Sequence, residues 1–203
     1  MGLYKRKGIT LFIDAGTNGE MVLGNEEWMM TASCSAGPAF EGGGIRHGMR
    51  ALPGAIETIK IDPQTLEVTL GVIDNELPAG ICGSGMISLI ASLYIAGILD
   101  SAGKFSDKFT DSRIRQGKFG REFVVAWQKN THLEEDIVIT ETDITILLQS
   151  KAAVYAGIMT LLKRAEIALD MIEHIQLAGG FGKYIDFELA IMLGMLPDVD
   201  LNN

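Results

Sequence analysis

Cysteine and histidine are scarce in this chain of 203 residues, which has two of the first and three of the second. The cysteines, Cys34 and Cys82, are far apart and lack the paired spacing of zinc sites and disulfide frameworks, so we interpret both as reduced, semi-buried thiols. An iron–sulfur cluster needs a larger set of thiolates. With only His47, His132 and His174 as imidazoles, we expect the Cys and His residues of this segment to bind neither a metal ion nor a cluster.

Positive charge and long apolar runs are also lacking. Lys and Arg number 17 against 26 Asp and Glu, and the net charge of -9 argues against an extended nucleic-acid surface, which requires clustered cations. The longest apolar stretch, residues 86–99, is interrupted by Ser88, Ser92 and Gly97 and is shorter than the roughly 20 residues that span a bilayer. The basic N-terminus is followed by no cleavable small-residue site. We therefore expect a cytoplasmic protein with no membrane or nucleic-acid partner.

What is present is a globular composition, with 47% apolar and 21% charged residues, in a length that fits one domain spanning residues 1–203. The first third is β-rich and the remainder alternates helices with strands, which predicts an α/β fold. Residues 100–122 carry little hydrophobic periodicity and are predicted to form a surface excursion, while Thr140-Glu141-Thr142-Asp143 has the form of a capping box before a long helix. The predicted strands are residues 9–14, 20–23, 28–33, 55–61, 67–72, 123–127 and 174–178, and the predicted helices are residues 86–99, 144–165 and 186–193.

The first predicted β-hairpin has a glycine-rich tip suited to an oxygen-rich ligand. Asp14 ends its first strand and is followed, after one alanine, by Gly16, Thr17, Asn18 and Gly19. Glycines let the backbone approach a phosphate, Thr17 and Asn18 can donate hydrogen bonds, and a carboxylate at the strand end can hold a Mg²⁺-bound water or orient an attacking water. The alternative is a tight hairpin with Asn-Gly turn chemistry and no ligand.

A second glycine-rich segment, Ala178-Gly179-Gly180-Phe181-Gly182, connects a predicted strand to a predicted helix. In such a turn the backbone N–H groups can point at a nucleotide. The alternative is a turn whose glycines serve only close packing. Neither segment fits the P-loop pattern G-x-x-x-x-G-K-[ST] or the dinucleotide pattern G-x-G-x-x-G, which disfavours those folds.

For two further residues and one small group of residues, the sequence leaves two interpretations open. Lys151 falls on the apolar stripe of the long helix, where its ammonium either contacts a nucleotide or snorkels to the helix edge. Ser84, between two glycines, is either the N-cap of the following helix or an anion or nucleotide contact. Arg46, His47 and Arg50 form a small basic group that is either a partner-docking site or ordinary surface.

Taken as a pair, the two glycine-rich segments resemble motifs of the superfamily of acetate and sugar kinases, heat-shock chaperones and actin. Residues 14–19 resemble its second phosphate loop, and Leu177-Ala178-Gly179-Gly180-Phe181-Gly182 resembles its adenosine loop. The resemblance implies one lobe of RNase H-like fold, with a mixed sheet flanked by helices, from a two-lobed protein that binds ATP between its lobes.

Within that superfamily the chain is similar to the reductive activators of corrinoid proteins, from about Thr10 to Pro197. The similarity is carried by Ile13-Asp14-Ala15-Gly16-Thr17-Asn18-Gly19-Glu20, Ala36-Gly37-Pro38-Ala39-Phe40-Glu41-Gly42, residues 48–56 and Gly80-Ile81-Cys82-Gly83-Ser84-Gly85. It implies ATP hydrolysis coupled to the return of a corrinoid protein from cob(II)amide to cob(I)amide, with electrons from an iron–sulfur domain elsewhere in the chain. It also implies that Asp14 acts on Mg²⁺ or water, that the amides of residues 16–19 hold phosphate, and that Gly179, Gly180 and Phe181 line the adenosine.

The chain departs from this family in three respects. The upstream lobe with the first phosphate loop has no counterpart here, no cysteine set for a cluster is present, and the chain stops at Asn203, where the family continues into a further helix. Two other functions stay open: a small-molecule phosphotransferase of the acetate or sugar kinase type, whose substrate-recognition residues we do not find, and a non-catalytic interaction module of the same fold. An apolar surface left by the missing lobe would favour a homodimer.

We predict that this chain alone hydrolyses ATP negligibly. In-line phosphoryl transfer needs phosphate-positioning groups from both sides of the nucleotide, and only one Asp-Ala-Gly-Thr hairpin is present. The measurement is steady-state phosphate release from ATP. A turnover on the order of 1 per second or faster, as in intact kinases, would contradict the prediction.

Overall fold

The computed structural model describes residues 2–109, 112–179 and 185–199. The chain groups into two compact units, residues 1–37 with 150–203 and residues 38–149, called here the first and second units. The architecture is mixed α/β, as predicted. The described strands are β1 (Thr10–Ala15), β2 (Gly19–Gly24), β3 (Met29–Cys34), β4 (Ala55–Ile61), β5 (Val68–Val72), β6 (Gly80–Ile81), β7 (Ile114–Gly117), β8 (Gly120–Ala126), β9 (Ile137–Thr140) and β10 (His174–Ala178), and the described α-helices are α1 (Gly83–Ile95), α2 (Glu141–Ala165) and α3 (Phe187–Met192).

The first unit is built on a four-stranded sheet in the order β10-β1-β2-β3. β1 and β2 form the predicted antiparallel hairpin, β3 extends it, and β10 pairs with β1 in parallel. Leu11, Ile13, Met21 and Leu23 are at most 1% exposed, which is the period-2 pattern of strands that bury one face against a core. The sequence therefore predicted these four strands, and the structure confirms them.

Helix α2 starts at the predicted capping box. Thr140 Oγ1 accepts a hydrogen bond from the Asp143 amide at 3.1 Å, and Asp143 Oδ2 accepts one from the Thr140 amide at 2.9 Å, so two orphan donors of the first turn are satisfied reciprocally. By length and composition α2 is apolar enough to cross a membrane, with a mean hydropathy of 1.4. One face of α2 packs within the protein: Val154 and Ile158 are fully buried, and a Cβ at Gly157 would lie 3.0 Å from Met21 Cε on β2.

The second unit contains a sheet in the order β5-β4-β6, against which α1 packs. α1 carries two serines in an apolar sequence, and both bond to the same residue of β4. Ser88 Oγ accepts the Ile59 amide at 2.9 Å and donates to the Ile59 carbonyl at 2.6 Å, and Ser92 Oγ donates to that carbonyl at 2.9 Å. β6 pairs only with the first two residues of β4. The serines thus satisfy backbone groups that a longer neighbouring strand would otherwise pair.

A second sheet of this unit, in the order β7-β8-β9, contains a buried carboxylate, Glu122, that forms ion pairs with two arginines. The Glu122 side chain is 4% exposed and accepts hydrogen bonds from Arg46 at 3.3 Å and Arg115 at 3.0 Å. Arg46 also bonds Glu135 at 2.8 Å, and Arg115 bonds Asp136 at 2.9 Å. Each buried carboxylate oxygen therefore has a cationic partner, the condition under which a buried charge is tolerated.

This network corrects the prediction for the basic group. His47 is 7% exposed and its Nδ1 accepts the Val138 amide at 3.1 Å, so neither partner docking nor ordinary surface describes it. Arg46 belongs to the ion-pair network, whereas Arg50 is exposed and keeps both alternatives.

Hydrogen bonds from Arg46 and then His47 hold the pKa of Glu135 below its ordinary value. A carboxyl group with a depressed folded-state pKa stabilises the fold while it is ionised. The contribution of Glu135 is therefore present at neutral pH and is lost as the pH falls through that lowered pKa.

The predicted surface excursion at residues 100–122 is wrong in its second half. That stretch contains β7 and the start of β8, and β9 was not predicted at all. β7 is Ile-Arg-Gln-Gly, with two exposed central residues and only four residues in length, so it shows no apolar alternation. β9 is only four residues long and buried throughout, a pattern that periodicity does not distinguish from the start of the following helix.

We predict that Glu122→Gln lowers the free energy of unfolding by about 2 kcal/mol, because Arg46 and Arg115 lose their shared buried anion. Glu67→Gln, at an exposed carboxylate of the same unit, is the matched control and should change stability by no more than about 0.5 kcal/mol. Urea unfolding followed by circular dichroism is the measurement. Equal losses in the two variants would show that the network contributes nothing.

Candidate functional site

The hairpin between β1 and β2 ends in a three-residue tip, Gly16 to Asn18. Asp14 lies opposite Glu20 and Ala15 opposite Gly19, and the Gly16 amide donates to the Asn18 carbonyl at 3.0 Å. Thr17 and Asn18 are exposed, whereas Asp14 is half-buried. The sheet therefore fixes the base of the tip and leaves its end accessible to a ligand.

The tip is also held from a second side. The Gly37 amide donates to the Thr17 carbonyl at 2.9 Å, and Gly37 has a φ of 78°, a backbone conformation that favours glycine. No local pattern in the sequence predicts this role for Gly37. A Gly-Pro dipeptide marks a turn, but the partner of a single amide some twenty residues away is not encoded in any local pattern.

The base of the hairpin packs against α2 and β3. A Cβ at Gly19 would lie 2.8 Å from Cys34 Sγ and 3.7 Å from Val154 Cγ2, so this glycine is required by close approach. Burial raises the pKa of the Cys34 thiol, the Gly19 amide opposes that shift, and the charge of Glu20 adds to it. Cys34 is therefore a neutral thiol at physiological pH, as interpreted from the sequence.

The parallel pairing of β1 with β10 brings the two glycine-rich motifs together. Asp14 is the register partner of Ala178, and Gly179 follows at the carboxyl end of β10. Gly179 has a φ of 85°, and a Cβ there would lie 2.6 Å from Asp14 Oδ1. The carboxylate thus occupies the space that a side chain at position 179 would need. Gly180 and Phe181 lie outside the described residues.

Lys151 lies in the first unit, on α2 one turn before Val154. Its side chain is half-buried, and Nζ donates to the Leu193 carbonyl at 2.7 Å. The structure therefore gives this ammonium a backbone acceptor, and its role as a nucleotide contact stays a prediction.

Ser84 lies in the second unit, and the prediction that it is an N-cap is wrong. The N-cap of α1 is Cys82, and Ser84 is the second residue of the helix, buried, with its Oγ 3.3 Å from Cys82 Sγ. The glycines around it serve packing: a Cβ at Gly85 would overlap the Ile56 carbonyl, and one at Gly80 would lie 2.8 Å from the His47 carbonyl. Its role as a nucleotide contact stays a prediction.

The assembled part of the site is therefore a sheet edge with one half-buried carboxylate, an exposed glycine-containing tip and a glycine that leaves the carboxylate room. Among the described residues, no group of three or more His, Cys, Asp or Glu side chains is placed to hold a metal ion. A divalent cation that arrives with phosphates needs no such group, because Mg²⁺ is commonly bound by one or two carboxylates together with substrate oxygens. Asp14 and the exposed tip fit that arrangement.

Comparisons with known proteins identify relatives over nearly the whole chain. Residues 8–203 match the family of the C-terminal domain of RACo, the ASKHA domain. Corrinoid activation enzyme RamQ of Eubacterium limosum is 36% identical over 207 residues, which cover 98% of this chain and 35% of the relative. The Co(II) methylated amine-specific corrinoid protein reductase of Methanosarcina barkeri is 31% identical over 210 residues, which cover 93% of this chain and 35% of the relative.

A solved structure, of a reductive activator for corrinoid, iron–sulfur protein, superposes on the chain with a TM-score of 0.95. It is 51% identical, and the match covers 99% of this chain and 32% of that one. The chain therefore spans about a third of the length of these relatives.

We predict that Gly179→Ala is more damaging than its backbone conformation alone explains. Gly97→Ala is the matched control, because Gly97 has a φ of 69° but nothing within 4 Å of the added Cβ. The control should lose about 1 kcal/mol of unfolding free energy, and Gly179→Ala should lose at least about 1 kcal/mol more, since the added carbon meets the Asp14 carboxylate. Urea unfolding measures both.

The double variant Asp14→Ala with Gly179→Ala tests the cause. Removing the carboxylate should abolish the excess loss of unfolding free energy. The two positions should therefore show a coupling free energy of about 1 kcal/mol. Additive losses would contradict this assignment.

Proposed function

The chain belongs to the family of the C-terminal ASKHA domain of RACo, and from this we propose that it is the ATP-binding lobe of a reductive activator that returns a corrinoid protein from Co(II) to Co(I). The observation that carries the proposal is the meeting of Asp14 with Gly179 at the carboxyl ends of β1 and β10. It joins in space the two motifs that the resemblance assigns to phosphate and adenosine.

Each residue of the candidate site has a proposed role, which the exposure and pairing of the hairpin support. The backbone of residues 16–19 binds the phosphates, because it is glycine-rich, exposed at its tip and fixed at its base. Gly179, with Gly180 and Phe181, lines the adenosine, and Ser84 and Lys151 are further nucleotide contacts. Mg²⁺ bound with the nucleotide would neutralise phosphate charge.

Asp14 is proposed to be the catalytic residue of this lobe. Its half-buried carboxylate lies at the strand end, beside the tip, where it can orient the attacking water. In hydrolysis the water oxygen forms a bond to the terminal phosphorus as the bond to ADP breaks, and a carboxylate is the group that accepts the proton which the water loses.

The redox step is proposed for the longer protein. Conversion of Co(II) to Co(I) adds one electron, which an iron–sulfur centre outside this chain would supply. ATP hydrolysis in this lobe would drive that electron transfer. The proposed partners are a corrinoid protein, a second lobe in the same polypeptide and a second copy of the chain in a homodimer, all in the cytoplasm. The names of the two relatives, a corrinoid activation enzyme and a corrinoid protein reductase, favour an activator over a small-molecule kinase or a non-catalytic module.

We predict that Asp14→Asn in a complete activator lowers kcat for ATP hydrolysis by at least about 100-fold and changes the ATP dissociation constant by less than about threefold. The amide has nearly the same shape, so the hairpin is kept. The carboxylate is needed as charge develops, whereas ground-state binding is spread over the backbone amides and the adenosine motif. The measurements are kcat and equilibrium ATP affinity.

Glu20→Gln is the matched control, because Glu20 lies directly opposite Asp14 in the register and is exposed. It should change kcat far less than Asp14→Asn. An unchanged kcat for Asp14→Asn, or equal losses in the two variants, would move Asp14 from a catalytic to a structural role.

A further inference from the structure

The backbone amides of the hairpin tip are not equally available to a ligand. The Gly16 amide donates to the Asn18 carbonyl at 3.0 Å, and the Gly19 amide donates to the Cys34 sulfur. The Asn18 amide, by contrast, donates to no group in the described part of the chain, and Asn18 is exposed. Residues 15–19 include no cationic side chain, so recognition of an anion at the tip depends on donors of this kind.

The direction of the Asn18 N–H is set by the peptide group to which it belongs. The peptide between Thr17 and Asn18 is planar and trans, so the Thr17 carbonyl and the Asn18 N–H point in opposite directions. The Thr17 carbonyl accepts the hydrogen bond from the Gly37 amide at 2.9 Å. The Asn18 N–H therefore points away from Gly37.

The orientation of this one peptide decides whether the tip attracts or repels a phosphate. Glycines at positions 16 and 19 flank it, and a peptide flanked by glycines rotates at low steric cost. A rotated peptide would present the Thr17 carbonyl oxygen where the Asn18 N–H now lies. The partial negative charge of that oxygen would repel a phosphate, whereas the N–H attracts one. A hydrogen bond that holds the carbonyl on the far side thus keeps the tip suited to an anion.

Gly37 is placed and shaped to make that bond. It lies three residues after β3, whose last residue, Cys34, pairs with Gly19 at the base of the hairpin. Its φ is 78°, a left-handed conformation that favours glycine. The nearest atom to a Cβ at this position would be Ser150 Oγ, at 4.0 Å. Backbone conformation, and not lack of space, is therefore what requires glycine at position 37.

We propose that Gly37 is a positioning residue: its amide locks the peptide between Thr17 and Asn18, so that the Asn18 amide is a phosphate donor of the tip. This inference rests on the proposed ATP-binding function and narrows phosphate recognition to one backbone group. The Gly16 and Gly19 amides, which already have acceptors, support the shape of the hairpin instead.

The most specific test removes only the Gly37 N–H. Glycolic acid in place of Gly37 converts that amide to an ester, which deletes the donor and keeps a similar backbone. Glycolic acid in place of Gly44 is the matched control, because Gly44 has the same φ of 78° and its amide donates to none of the described groups. Calorimetry gives the dissociation constants for ATP and tripolyphosphate. The Gly37 ester should weaken both at least about fivefold, and the Gly44 ester should change neither by more than about twofold.

The encoded variants Gly37→Ala and Gly44→Ala repeat the comparison and take the place of the esters if those do not fold. Each places a side chain at a φ of 78° without a close contact, so the two should lose similar amounts of unfolding free energy. Only Gly37→Ala should weaken ATP and tripolyphosphate. This difference separates an effect on the tip from a general loss of stability.

Nuclear magnetic resonance of the ¹⁵N-labelled chain reports on the donor itself. On addition of tripolyphosphate the Asn18 amide proton should shift downfield, as it gains an acceptor, and by more than the Gly16 amide proton, which already has one. Binding that leaves the Asn18 proton unmoved overturns the assignment of the donor.

The affinities distinguish the remaining outcomes. Unchanged binding by the folded Gly37 ester overturns the positioning role of Gly37. Weaker binding of ATP with unchanged binding of tripolyphosphate also overturns it, because the lock acts on the phosphates. No ATP binding by the unsubstituted chain overturns the proposed function together with this inference, which separates that failure from the other two.

Discussion

The parallel ladder between β1 and β10 is the contact on which the first unit depends. It pairs residues that are more than 160 positions apart in the chain, with Thr10 opposite His174 and Asp14 opposite Ala178. Two strands in parallel necessarily present their carboxyl ends at one edge of a sheet, and in α/β proteins that edge is where ligands bind. The meeting of Asp14 with Gly179 is a direct consequence of this register. A slip of one residue would turn the carboxylate to the other face of the sheet.

The second unit is organised by polar groups that are satisfied inside it. Ser88 and Ser92 supply hydrogen bonds to Ile59 of β4, and Glu122 balances Arg46 and Arg115 in the second sheet. Burying any of these groups without a hydrogen-bond partner would raise the free energy of the folded state. Pairing offsets most of that cost. Such pairs tie elements distant in sequence to one arrangement, because no other register would bring the partners together.

Local sequence patterns predicted most of the first unit, together with the capping box that starts α2 in the second unit. The alternation of buried residues in β1 and β2, the capping box at Thr140 and the apolar strand ending in glycine are all encoded within short windows, and each was predicted from the sequence and is present. The second unit was predicted less well, since β7 is a four-residue strand whose two central residues, Arg115 and Gln116, are polar and exposed, and β9 is too short to be separated from α2. What stabilises them, the partners of Glu122, lies up to 76 residues away in sequence.

In the candidate site, too, local sequence predicted some features, and others depend on long-range contacts. The residue types and spacing of Asp14, the tip and Gly179 predicted where a ligand would bind, but not the acceptor of Lys151 or the support of Thr17 by Gly37, which arise only from folding. Of the two alternatives for Ser84, the N-cap was wrong: a serine between two glycines has the appearance of an N-cap, while Cys82 occupies that position. Local sequence identified the groups with chemistry, and long-range packing decided how they are held.

The closeness of Asp14 Oδ1 to position 179 has an evolutionary consequence. As long as the carboxylate is kept, residue 179 is restricted to glycine by two independent constraints, the sign of φ and the volume taken by the oxygen. A lineage that lost the carboxylate would remove the second and keep the first, which asparagine tolerates better than other residues with a side chain. A change from glycine to asparagine at position 179 would then indicate that a descendant had lost the function of the carboxylate and kept the fold.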